Sequence, residues 1–362
     1  MSAPNALNRL IQRQMTAAGG WLAFDRFMAM ALYAPGSGYY SGPLRKLGLM
    51  PESGSDFVTA PELSPWFGRA LAKAVGEALA RTSTTEVWEF GAGSGALALH
   101  LMGVLGEGVS TYHIVDLSGS LRLRQQDTLH AYAGRIVWHD ELPAQFSGVV
   151  VGNELLDAMP IQLLVRRSGL WHERGVVATE DAQHPWAWSD RPTTLCPPVE
   201  VEGDHDYLTE IHPQAEAFVR TLAQRLKAGA VFLIDYGFPE REYYHPQRHM
   251  GTLMCHQGHL SDPDPLVSVG AKDITTHVNF TGIAWAAQEA GMAVLGYTSQ
   301  ARFLINCGLV DLLQDASLQE RAMAQKLLTE HEMGELFKVI ALGVGEPWEP
   351  LGFTQGDRTH TL

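Results

Sequence analysis

An α/β fold on a doubly wound, Rossmann-like sheet is predicted by three features of this 362-residue chain. Strand-like apolar segments alternate with stretches of helical periodicity, as in β-α-β units. One segment, Gly148-Val149-Val150-Val151, is continuously apolar, as a strand covered on both faces should be. A glycine-rich turn, Gly91-Ala92-Gly93-Ser94-Gly95, separates the first such strand from the helix after it.

Helical spacing dominates residues 7–30 until Ala34-Pro35-Gly36-Ser37-Gly38 breaks it. Residues 41–65 read as loop, and 65–80 as a helix. The first core strand is predicted at 87–90 and its helix at 96–105. A second strand follows at 112–116, a helix at 121–132, a third strand at 135–138 and a fourth at 146–152. Residues 161–188 change character, with short alternating segments and turn residues that predict a β-rich insertion. A helix is predicted at 213–227, a fifth strand at 230–235, a helix at 281–290, and the last two strands at 294–297 and 336–344. Residues 237–275 form a long irregular stretch rich in Pro, Gly and His, and loops of that length in compact domains usually have a function. The expected division is an N-terminal helix and lid segment (1–67), a main domain (68–345) with the insertion at 161–205 and the long loop at 237–280, and a tail (346–362).

Apolar residues make up 46% of the chain and charged residues 18%, which predicts a filled core and excludes wholesale disorder. A net charge of −14 with no Lys/Arg stripe argues against a nucleic-acid partner. No apolar run is long enough for a membrane span. Cys196, Cys255 and Cys307 lie far apart and offer no metal spacing or disulfide framework, so a reducing compartment is the default. Residues 7–23 carry Arg9 and Arg13 and no acid, as an organellar presequence does; an amphipathic first helix with Leu7, Leu10 and Ile11 on one face is preferred. A cytoplasmic protein is therefore expected, or a mitochondrial-matrix one if the source is eukaryotic.

Two cofactor classes can use the glycine turn. Gly91, Gly93 and Gly95 fit Gly-x-Gly-x-Gly, and Gly91, Gly93 and Ala96 also fit the dinucleotide fingerprint. Glu89 favours a methyl-donor site, because an acid at the strand end can face the ammonium group of S-adenosylmethionine. Asp116 closes the second strand 25 positions after Gly91, where a carboxylate accepts ribose hydroxyls. Asp140, after the third strand, could accept from an adenine amino group. Ala92, Leu117 and Asn153 complete the expected cofactor-binding set, with Thr59 and Pro61 in a lid that also takes in Asp56 and Glu62.

The fourth strand runs into Asn153-Glu154-Leu155-Leu156-Asp157-Ala158-Met159-Pro160. Carboxyl ends of strands open onto the ligand crevice of such sheets, so Glu154 and Asp157 stand where chemistry would occur. Three residues apart, they could share one helical turn, where a guanidinium would be a natural partner.

These motifs resemble the MidA-type methyltransferases, a family that includes a mitochondrial complex I assembly factor and many bacterial relatives. The matches continue at Tyr33 with Gly38-Tyr39-Tyr40, at Asp56-Phe57-Val58-Thr59-Ala60-Pro61-Glu62-Leu63-Ser64, at Phe67-Gly68, at Asp235-Tyr236-Gly237, at Gly251-Thr252-Leu253, at Asp273-Ile274-Thr275 and at His277-Val278 before Phe280. Ser55, His256, Lys272 and Asn279 depart from the family's usual Gly, aromatic, Gln and Asp.

The resemblance implies a class I methyltransferase sheet, mostly parallel with an antiparallel last strand, and S-adenosylmethionine as cofactor. It also implies a protein-arginine substrate, a respiratory-complex subunit in the mitochondrial member. On that reading Glu154 and Asp157 grip the guanidinium, and His277 accepts its proton or orients it, unless it only ties the loop down. An NAD-dependent oxidoreductase, a small-molecule methyltransferase and a cofactor-binding assembly factor without turnover remain alternatives.

Overall fold

The computed structural model describes residues 3–42, 59–116, 119–314 and 316–362. Its main sheet contains β1 (Glu86–Phe90), β2 (Thr111–Val115), β3 (Ile136–His139), β4 (Phe146–Asn153), β5 (Leu226–Phe238), β6 (Ala293–Ser299) and β7 (Phe337–Val344). The spatial order is β6-β7-β5-β4-β1-β2-β3. Strands β1 to β5 pair in parallel, while β7 runs antiparallel to both β5 and β6. The order reverses between β1 and β4, so a ligand crevice is expected above their carboxyl ends.

Both faces of the sheet are covered. Val149 and Val151 pack with helices Pro65–Thr82 and Ala96–Leu105, and Val150 packs with helices Pro213–Arg225 and Phe280–Glu289. All three valines are fully buried, and each stabilises the fold by roughly 2 kcal/mol relative to exposure. Burial on both sides is why the fourth strand lacks a polar alternation.

The N-terminal segment and the insertion form one further unit. Strands Gln162–Arg167, Leu170–Ala178, Trp186–Pro192 and Tyr207–Ile211 make an antiparallel sheet, and Leu22–Ala23 adds to its edge against Gly175 and Val176. The helical pattern over 7–30 is two helices, Ala3–Ala17 and Phe24–Tyr33. Gly19 and Gly20, with φ of 78° and 87°, break it, because no helix continues through that conformation. Leu7, Ile11 and Phe27 bury against Leu163 and Val176 of the insertion.

Helices Gln300–Asn306 and Leu318–Leu328, not assigned from the sequence, close the end of the sheet near β6. Residues 346–362 pack on this end too: Phe353 is 2% exposed, and the Asp357 carboxylate accepts the Tyr297 N–H at 3.0 Å. Among the described residues, no helix is long and apolar enough to cross a membrane.

Candidate active site

A cavity of about 1010 Å³ opens above the carboxyl ends of β1 and β4. Its floor is the glycine turn. Gly91, Gly93 and Gly95 have φ of 68°, 53° and 85°, a left-handed run that side chains resist and that exposes backbone to a ligand. Gly91, Ala92 and Gly93 line the cavity; Gly95 does not, and instead packs where a Cβ would lie 3.4 Å from Gln125 and Leu129.

Gln125 was not singled out by sequence. Fully buried, it donates from Nε2 to the Gly93 carbonyl at 3.1 Å and to Asp116 Oδ2 at 2.8 Å, and its Oε1 accepts the Trp138 indole N–H at 3.0 Å. One side chain thus ties the glycine turn to the acid at the end of β2.

Glu89 lines the cavity and accepts the Tyr112 hydroxyl at 2.8 Å. Burial pushes its carboxyl up to about 8, against the pull of that hydrogen bond. Asp116, Asn153, Thr59 and Pro61 also line the cavity. Pro61 lies in the first turn of the short helix Ala60–Leu63. Asp140 is not brought there: its side chain is 85% exposed and pairs with Arg122 at 3.1 Å. Leu117, Asp56 and Ser55 lie outside the described residues.

Glu154 and Asp157 face the same cavity, but in a turn and not on a helix. Glu154 sits in the left-handed region with φ of 50°, which stops the chain from continuing as a helix. Its Oε1 accepts from Asn153 Nδ2 at 3.1 Å and from the Ala60 N–H at 3.4 Å. Burial first, then the Asp157 charge, pushes the Glu154 carboxyl up to about 8. Asp157 accepts the Tyr236 hydroxyl through Oδ2 at 2.5 Å, and burial raises its carboxyl to about 6.

Short strand Val278–Asn279 pairs with the end of β5 and brings His277 to the cavity wall. The His277 ring stacks on Phe238 with centroids 5.1 Å apart and meets the Tyr236 ring edge-on. Burial and nearby Arg248 lower its pKa to about 4, so the imidazole is neutral near pH 7. Tyr33 and Tyr40 stack at 5.5 Å on the wall beside Asp273, whose Oδ2 accepts the Tyr40 hydroxyl at 3.0 Å. Of the family departures, His256 lines the cavity, Lys272 pairs with Asp262 at 2.7 Å, and Asn279 caps helix Phe280–Glu289 as an aspartate would.

The residues suit a cationic adenosyl cofactor. A buried acid stands before the glycine turn, a second acid ends β2, and Asn153 Oδ1 is buried on the wall without a partner. With β7 reversed in a sheet of this order, these features define a class I S-adenosylmethionine-dependent methyltransferase. The family described as "Putative S-adenosyl-L-methionine-dependent methyltransferase" matches residues 68–298, and the chain belongs to it.

Known proteins agree along nearly the whole length. The chain is 47% identical to a Burkholderia thailandensis protein whose crystal structure holds S-adenosyl-homocysteine, covering 99% of this chain and 97% of that one with a TM-score of 0.95. It is 26% identical to the zebrafish (Danio rerio) mitochondrial protein arginine methyltransferase NDUFAF7, over 93% of this chain and 88% of the relative. The human (Homo sapiens) counterpart is 25% identical, over 89% and 80%.

Proposed function

We propose that this methyltransferase modifies an arginine side chain of a protein substrate, with Glu154 and Asp157 holding the guanidinium. The observation that carries the reading is that two buried carboxyls, Glu154 and Asp157, line one cavity with the glycine turn. Two carboxylates buried side by side cost several kcal/mol unless a cation meets them. The names of the zebrafish and human relatives support arginine as the acceptor.

S-adenosylmethionine supplies a methyl group on a sulfonium, which leaves as a thioether. The chain's own residues then have three tasks. Glu89 and Asp116 hold the cofactor's ammonium and ribose ends. Glu154 and Asp157 fix one guanidinium nitrogen in line with the methyl and localise its lone pair. As the new C–N bond forms, that nitrogen's proton passes to a carboxylate, for which Glu154, poised near 8, is suited. Neutral His277 orients the acceptor from the Tyr236 side. The same reading suits a water-soluble enzyme of the cytoplasm, or of the mitochondrial matrix in a eukaryote.

Labelled S-adenosylmethionine added to a cell extract with this enzyme tests the reading. A labelled protein band that maps to methylated arginine is the expected result. Label confined to small molecules, or to another residue type, overturns it, and no transferred label supports a scaffold role.

A further inference from the structure

We propose that Asp235 is a positioning residue for methyl transfer, acting through Glu154 and Asp157; this rests on their proposed role. Asp235 follows the apolar run Val231 to Ile234 of β5. In the fold it is fully buried and not on the cavity wall. Its Oδ2 accepts three consecutive backbone N–H groups, those of Leu155, Leu156 and Asp157, at 3.1, 2.9 and 3.2 Å. Its Oδ1 accepts the Tyr236 N–H at 2.9 Å.

Three N–H groups converging on one oxygen hold the backbone in a nest, a shape that only a carboxylate-like acceptor fills well. The nest starts right after Glu154, whose left-handed backbone carries a cost of order 1–3 kcal/mol that its surroundings must offset. The Glu154 N–H itself donates to the Ile234 carbonyl at 2.9 Å, and the Asp157 carbonyl accepts the Thr276 N–H at 3.0 Å. The turn is therefore also fixed on Ile234 and on Thr276, the residue before His277. Through Asp235 the two candidate carboxylates, Tyr236 and the end of β5 share one rigid frame. Displacing a reacting group by 1 Å costs about 100-fold in rate, so a frame of this kind governs turnover without touching the acceptor.

The test compares Asp235→Asn, Asp235→Ala, Glu154→Gln and the double variant Asp235→Asn/Glu154→Gln. Each full-length protein is assayed for the labelling rate of the extract acceptor, and for S-adenosylhomocysteine affinity by calorimetry. Asp235→Asn should lose roughly 10- to 100-fold in kcat, keep KM for S-adenosylmethionine, and bind S-adenosylhomocysteine within about threefold of wild type. Asparagine keeps one carbonyl acceptor for the nest, so Asp235→Ala should lose more than Asp235→Asn. In the double variant the Asp235 change should cost much less than in wild type, because the group it positions is already disabled. Equal costs in both backgrounds, an unchanged rate, or parallel losses of rate and cofactor affinity would each overturn the proposal. If Glu154→Gln alone transfers methyl at the wild-type rate, the carboxylate reading fails instead, and the two failures are told apart.

Discussion

Tyr236 donates its hydroxyl to Asp157 Oδ2 at 2.5 Å, while Asp157 Oδ1 stays buried without a partner. The pair occupies one edge of the cavity that Glu154 and the glycine turn also line. That hydrogen bond lowers the Asp157 pKa against the larger effect of burial. Tyr236→Phe should therefore raise the Asp157 carboxyl above about 6 and move upward the lower of two acidic inflections in the methyl-transfer profile, the higher one belonging to Glu154 near 8. A pH profile of the labelling rate checks this; an unmoved lower inflection would mean that Asp157 does not titrate in the rate.

Glu154→Gln removes the proposed proton acceptor and keeps shape. Its amide still fits beside Asn153 and the Ala60 N–H, so cofactor affinity should stay within about threefold. Methyl transfer should fall by about 100-fold or more, as expected when a positioned base is lost. Calorimetry and label transfer on one preparation measure both numbers.

Gly93→Val should abolish cofactor binding. With φ of 53° and a place on the cavity floor, position 93 admits no β-branched residue without strain, and the added methyls would stand in the ligand's space. Wild-type affinity for S-adenosylmethionine in this variant would remove the glycine turn from the site.

Most of the sheet is legible in the sequence because its strands are short apolar runs with loop chemistry between them. Val149 to Val151 announce burial on both faces directly. The glycine turn, Glu89 and Asp116 are legible because local spacing places them at strand ends. What escapes is long-range or hidden in polar residues. Gln125 lies on a helix with no apolar signal, and its task is set by Gly93, Asp116 and Trp138, which reach it only through the fold. Asp140 shows the converse: a well-placed acid in sequence, drawn to Arg122 at the surface. Glu154 and Asp157 were readable as a pair, but their turn was not, since Asp235 shapes it from 78 to 80 residues away. For helix Leu318–Leu328 a signal existed: Ser317 and Glu320 form a capping box.

The C-terminal segment should be structural. Phe353 packs against Phe303 with centroids 5.4 Å apart, and a Cβ on Gly296 would lie 2.3 Å from its ring. Phe353→Ala should cost about 3–5 kcal/mol by chemical denaturation, the usual range for a buried phenylalanine. Gly296→Ala should destabilise by overpacking at the same spot. A cost below about 1 kcal/mol for Phe353→Ala would show that its ring does not anchor the segment.

Glu89 and Glu154 link protonation to both stability and cofactor binding. Each carboxyl titrates near 8 in the folded protein against 4.5 as its ordinary value. Between those values the folded state holds protons that the unfolded chain has released. The stability these two groups contribute without cofactor is full below about pH 4.5 and falls as pH rises toward 8, by at most about 1.4 kcal/mol per unit for each group. Glu89→Gln should flatten this slope, and its thermal midpoint should exceed the wild-type value at pH 8 by more than at pH 5. Cofactor binding runs the other way. An ammonium beside Glu89 favours the carboxylate, so S-adenosylmethionine should bind more tightly as pH rises from 6 to 8 and release about one proton. Calorimetry in buffers of different ionisation enthalpy counts that proton. Its disappearance in Glu89→Gln would place the ammonium at Glu89; an unchanged count would put the cofactor's charged end elsewhere.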